Sequence, residues 1–367
     1  MVMQSRPNLR RRLRGPSGIR GVTLIELMIG LLLGVVVVLV TAQVMSFAEG
    51  QKRVTTGGAD AQVNGALGLY TLQREIQMSG YGLLSQLFAL GCPVRANHAS
   101  AGAFNWTLAP VIITAGTSGA PDSITVMSSS RAYAVPASIS VNHPTTSDRF
   151  TLRSALGISV GDMVIAVPAS YSATNWCGAY QVTALANSNQ AVHGNSSSWN
   201  SGAQVAPTAG YFAGDRLMNA GQMVLRTFSV DANKNLQQQT LDLGTGTMQV
   251  QPLFPQIVQL RAFYGKDTDA DGVVDTYDTV TPTTGAGWRQ VLAVRIALVA
   301  RSSSYQKEEV TAAAPQWDVG TAATVTGSAT CGSSNCIAMT VSGLTDWKHY
   351  RYSLFEVTAP LRNVIWN

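Results

Sequence analysis

Gly21-Val22-Thr23-Leu24-Ile25-Glu26-Leu27, running into the apolar stretch Leu27–Val40, decides how this chain is built. From Leu27 to Ala48 there are 22 residues without a charge, and Leu27–Val40 is apolar apart from two glycines. About 20 such residues span the hydrocarbon core of a bilayer. No second stretch of this kind follows. Before it lie six arginines (Arg6, Arg10, Arg11, Arg12, Arg14 and Arg20) and no acid. A basic flank on one side of a single span places residues 49–367 outside the cytoplasm. A cleaved secretory signal shares the basic and apolar regions, but here the run is too long and no Ala-x-Ala-like site follows before the helical pattern resumes. Glu26 is the anomaly. A carboxylate in such a segment costs roughly 2.5–3.5 kcal/mol at the helix centre and less near the interface, so it reads first as functional. An ordinary interfacial Glu would leave the Gly-x-x-x-x-Glu spacing and the arginine-rich leader unexplained.

Working outward, the composition excludes several classes. Of 367 residues, 46% are hydrophobic and only 12% charged, about half the usual ~25%. That is unlike a highly charged disordered chain or a salt-bridged helical bundle, and there is no collagen period. The net charge of +5 misleads: six of the 25 basic residues sit in 1–21, leaving 19 against 20 acidic residues beyond. A nucleic-acid partner needs a basic face on the folded part, so none is expected.

Val63, Ala66, Leu69, Leu72 and Ile76 recur at three- and four-residue spacings and predict that the helix continues as an amphipathic one. It is expected from Val22 to Ser79, with Gly57-Gly58 as a weak point and Ser79-Gly80-Tyr81-Gly82 as its stop. The rest reads as strands: 123–128, 162–167, 180–185, 222–230, 236–241, 257–264, 290–300 and 350–359 are rich in Val, Ile, Thr and aromatics and bounded by turn residues. Long Ser/Gly/Thr/Ala loops are expected at 187–210 and 311–334. The fold class is α+β: one long N-terminal helix, membrane-spanning in its first half, packed on an elaborated antiparallel β-sheet domain. The segments are a basic leader (1–21), an apolar helix (22–48), an amphipathic continuation (49–79) and a β-rich head (80–367).

Arg20-Gly21-Val22-Thr23-Leu24-Ile25-Glu26 resembles the signal of type IV prepilins and type II secretion pseudopilins. The resemblance implies a pilin-like fold, cutting between Gly21 and Val22 by a prepilin peptidase, N-methylation of Val22, and Glu26 as the carboxylate that meets the new amino terminus of a neighbouring subunit in the filament. Pairing offsets the cost of burying either charge alone. The family usually has Phe where Val22 stands. Further along, the stations 72–82, 122–126, 161–165, 264–269, 288–295 and 361–363 are similar to those of PilW-like minor pilins. What this implies is a non-catalytic subunit of the inner membrane and then the pilus, a partner of other minor pilins and the major pilin, which primes assembly near the tip, often with a large tip adhesin. Two alternatives stand beside it: a type II secretion minor pseudopilin, and a membrane-tethered periplasmic calcium-dependent binding module.

Asp267, Asp269, Asp271, Val273, Asp275 and Asp278 fit a twelve-residue Ca²⁺ loop, with Gly272 at the sharp turn. Asp278 stands where Glu is usual, and the flanks read as strands, so this is not an EF-hand. The alternative is an acidic hairpin whose Asp and Gly serve turn geometry. Any affinity would be on the order of 10⁻⁴–10⁻³ M. Outside the cytoplasm the four cysteines are expected to oxidise. Cys331 and Cys336 span a short loop that can close on itself, leaving Cys92 with Cys177, one of the three pairings that four cysteines allow; zinc and a reduced set are the other options. His98, His143, His193 and His349 are scattered without a catalytic spacing and read as surface or satisfied polar side chains. No enzymatic motif is present.

Overall fold

The computed structural model describes residues 21–83, 87–131, 136–200, 205–325 and 329–365. The arginine-rich leader, residues 1–20, lies outside the described residues. The first helix is Leu24–Met78. Its start is fixed by a capping box: the Thr23 hydroxyl accepts from the Glu26 N–H at 3.3 Å, and the Glu26 carboxylate accepts from the Thr23 N–H at 3.0 Å. Two compact units divide the chain inside this helix, between Arg53 and Val54. In the first unit every described side chain from Val22 to Lys52 is exposed. This is the one helix among the described residues long and apolar enough to cross a membrane.

In the second unit the helix buries the C-terminal part of the expected stripe, Leu72 and Ile76, but not its beginning. Val63 and Ala66 face outward, and Leu69 is only partly covered. The buried face is Gly57, Ala61, Gly65, Gly68, Leu72 and Ile76, at spacings of three and four. Small residues bring the backbone close to the sheet: a Cβ added at Gly65 would lie 2.2 Å from Phe355. Gly57 is therefore no weak point. The helix runs through it, packed under Ser303 and Ser304.

The helix covers two antiparallel sheets. One has the strand order 247–255, 235–242, 224–230, 123–128, 111–114; the other runs 276–278, 257–266, 291–301, 352–360. Leu72 and Ile76 share a core with Ile124, Phe228, Leu260 and Ile296. Ile257–Lys266 and Val291–Arg301 are buried almost end to end, because a second layer covers their other face. There Phe263 stacks on Trp317 at 4.8 Å and packs with Val299, Val319 and Met339. Both faces being covered explains why these strands read as continuous apolar runs rather than alternating ones.

A third sheet, of six strands, is ordered 102–107, 93–98, 177–181, 163–167, 216–221, 137–138. It is antiparallel except where Val94 and Arg95 run parallel to Cys177 and Gly178. It holds its own cores, around Met163, Ile165 and Trp199 on one side and around Phe150, Tyr180 and Tyr211 on the other. The stretches read as loops are partly ordered. Gln190–Val192 pairs with Arg149–Thr151 and with Ala184–Ala186, and Gln316–Gly320 pairs with Ser334–Ala338.

Candidate functional site

Gly21 and Val22 precede the first helical turn, outside regular secondary structure and exposed. Glu26 is not an idle charge at the edge of the apolar segment: its carboxylate also accepts the Thr23 hydroxyl at 3.0 Å. Thr23-x-x-Glu26 is a capping signature legible in the sequence, and it gives Glu26 a structural task within its own chain.

The acidic segment forms a hairpin loop between Ile257–Lys266 and Thr276–Asp278. Asp267 is buried, and its two carboxylate oxygens accept the Ala270 N–H at 2.6 Å and the Gly272 N–H at 2.8 Å. Asp275 accepts the Thr268 N–H at 2.6 Å and the Thr268 hydroxyl at 2.8 Å. Asp269 accepts from Asp271 at 3.2 Å, and Asp271 from Val273 at 2.7 Å. Carboxylate oxygens of Asp267, Asp269 and Asp275 come within 4.8 Å of one another; Asp271 is not part of that group. Asp278 is elsewhere. It sits in a strand opposite Tyr264 and takes the Lys266 ammonium on both oxygens, at 2.7 and 2.9 Å. The twelve-residue loop thus contracts to three convergent aspartates, because pairing of Thr276–Asp278 onto the sheet carries position twelve away. The Thr268 N–H and hydroxyl hold the Asp275 carboxyl below its ordinary pKa. At Asp269 the Asp271 N–H pulls downward, but desolvation and the neighbouring carboxylates of Asp271, Asp275 and Asp267 outweigh it and the pKa is raised. A hard cation held by oxygen ligands would relieve that repulsion.

Cys92 is joined to Cys177 and Cys331 to Cys336. The Asp318 carboxylate lies beside Cys331 and Cys336, but their sulfurs are bonded to each other and offer no thiolate to zinc.

The histidines correct their reading as scattered groups. His143 and His193 are both buried, with their Nε2 atoms 2.8 Å apart. His143 stacks on Phe150 at 4.0 Å between ring centroids, and His193 lies 4.6 Å from Tyr180. Burial pushes both imidazoles down to about 4; at His193 its neighbour His143 adds to the shift. Together they border a cavity of about 330 Å³. No spacing connects positions 143 and 193. The fold joins them, through the bridge from His143 to Tyr211 and the strand Gln190–Val192 leading to His193.

Residues 226–363, which hold the central strands and the acidic hairpin, match the family model described as Type IV Pilus-assembly protein W. Over this span the chain is PilW-like. The match leaves outside it the six-stranded sheet and the stations at 72–82, 122–126 and 161–165. Comparison with curated proteins and with solved structures finds no match. A PilW-like chain takes part in type IV pilus assembly, and its apolar N-terminal helix suggests anchoring in a membrane.

Proposed function

We propose that the chain is a minor pilin: a non-catalytic subunit that enters the inner membrane, presents residues 49–367 on the far side, and co-assembles with other minor pilins to prime the pilus near its tip. One observation carries this reading. An exposed apolar helix begins at Leu24, within Gly21-Val22-Thr23-Leu24-Ile25-Glu26, in a chain whose residues 226–363 are PilW-like. A prepilin peptidase would cut between Gly21 and Val22 and methylate Val22. The new ammonium of one subunit then offers Glu26 of the next a charge-assisted partner, stronger than the neutral Thr23 donors it holds in its own chain. Glu26→Val is expected to insert normally and to be depleted from sheared filaments; normal recovery there would count against the pairing. Mass spectrometry of the native chain tests the cut directly, and an intact leader would overturn the assembly reading. The PilW match favours a pilus over a type II secretion system. A large tip adhesin, the other minor pilins and the major pilin are the partners this role implies.

We propose further that Asp267, Asp269 and Asp275 hold Ca²⁺. The convergence of these three carboxylates, and the repulsion that Asp275 and Asp267 exert on Asp269, support this reading. Calorimetry of the full chain with Ca²⁺ tests it, and no heat at millimolar Ca²⁺ would remove the site.

A further inference from the structure

A concavity of about 720 Å³ opens in the part of the chain outside the PilW match, within the size range of small-molecule sites. Arg153, Arg216 and Ser138 stand on its wall with Pro136, Leu156 and Ile158. We propose that it binds a small organic anion, a carboxylate or phosphate on an apolar body, clamped between Arg153 and Arg216.

The backbone places the two arginines side by side. Arg216 is the register partner of Ser138. The antiparallel bridge Ile139–Leu152 sets Arg153 opposite Ser138 on its other side, where the Arg153 N–H donates to the Ser138 carbonyl at 2.9 Å. Neighbouring strands are about 4.8 Å apart and residues in register project from the same face, so the two Cα atoms stand roughly 10 Å apart. Both side chains are long enough to close on one ligand.

Neither guanidinium has a hydrogen bond or ion pair among the described residues. Arg131, Arg149, Arg226, Arg261 and Arg295, by contrast, each meet a carboxylate. No acid is among the described residues of its wall, and the two acids that adjoin Asn219 and Arg216 have other partners. Asp162 accepts from Arg131 and Asn219, and Asp215 accepts from the Ala169 and Phe212 N–H groups. Residues 132–135 contribute no acid to the sequence. Two like charges at this spacing lie within about one Debye length at moderate salt and repel each other; an anion between them turns that cost into attraction. Guanidinium forks suit the planar geometry of carboxylate and phosphate oxygens. The apolar part of the ligand has a surface to cover, since Leu156 is 90% exposed on the same wall.

Calorimetry on the full chain in an uncharged detergent at low salt would use citrate and inorganic phosphate as probes. Saturable binding of at least one is expected. Losing a charge-assisted hydrogen bond costs roughly 1.5–3 kcal/mol, so Arg153→Gln and Arg216→Gln should each weaken binding about tenfold or more. Arg149→Gln, whose side chain pairs with Asp148, should leave it unchanged. Binding of citrate alone would identify a carboxylate ligand, and binding of phosphate alone a phosphoryl group. Unaltered circular dichroism would confirm that the variants fold. If neither probe binds, or if the double variant binds as the parent does, the proposal is overturned.

Discussion

At Gly65 a hydrogen is the largest substituent that fits. Gly65→Ala drives a methyl group into the Phe355 ring. Overpacking of this kind costs about 1–3 kcal/mol, and the gain in helix propensity returns about 1. A net fall in Tm is expected, and the same change should cost less in a Phe355→Ala background than in the parent; additive effects of the two changes would show that they do not meet. The residue scale is where sequence reading failed most clearly. Apolar periodicity found Leu72 and Ile76 but also pointed to Val63 and Ala66, whereas the docking face continues through Gly68, Gly65, Ala61 and Gly57, which carry almost no hydrophobic signal. His143 and His193 escaped for a related reason: long-range contact leaves no local mark. Their pH behaviour follows from burial. An unfolded imidazole takes up a proton near 6.5, whereas the folded pair resists until about 4. The pair's contribution to stability should therefore be flat above about pH 6.5, fall as pH drops toward 4, and level off below, because the unfolded state binds the protons first. Thermal melts against pH should show this fall, and it should be smaller in His193→Gln.

Among the elements, the long strands were legible because Val, Ile and aromatic runs between turn residues leave few other choices. Ile257–Lys266, Val291–Arg301 and Tyr352–Pro360 fall close to the stretches read from sequence. Pro93–His98, Gly102–Thr107 and Thr247–Pro255 were not legible. They mix Pro, Asn, His and Gln with few β-branched side chains, and cross-strand pairing rather than propensity makes them strands. The acidic hairpin shows the same limit. Its spacing was visible, yet which aspartates converge depends on the pairing of Tyr264 with Asp278, and that pairing gives Asp278 to Lys266. If Ca²⁺ binds, Asp275→Asn should abolish most of the calorimetric signal and Asp278→Asn should leave it nearly intact. Equal losses would favour the full twelve-residue loop instead.

For the whole molecule, the membrane-length helix followed from one N-terminal stretch and the α+β architecture from that stretch together with the strand-like runs beyond it. The six-stranded sheet was read only in fragments, and its arginine-lined pocket not at all. The disulfide between Cys92 and Cys177 gives that sheet a mechanical character. A pull applied through the N-terminal helix reaches residue 92 and crosses to residue 177 by a covalent bond, so the 85-residue separation is bypassed by the load. Stretching single molecules should therefore release that segment, about 300 Å of chain at roughly 3.5 Å per residue, only after reduction. The load would then divide the arginine pocket, since Ser138 and Arg153 lie inside the covalently closed segment and Arg216 lies beyond it, on a strand that tension can still strip away.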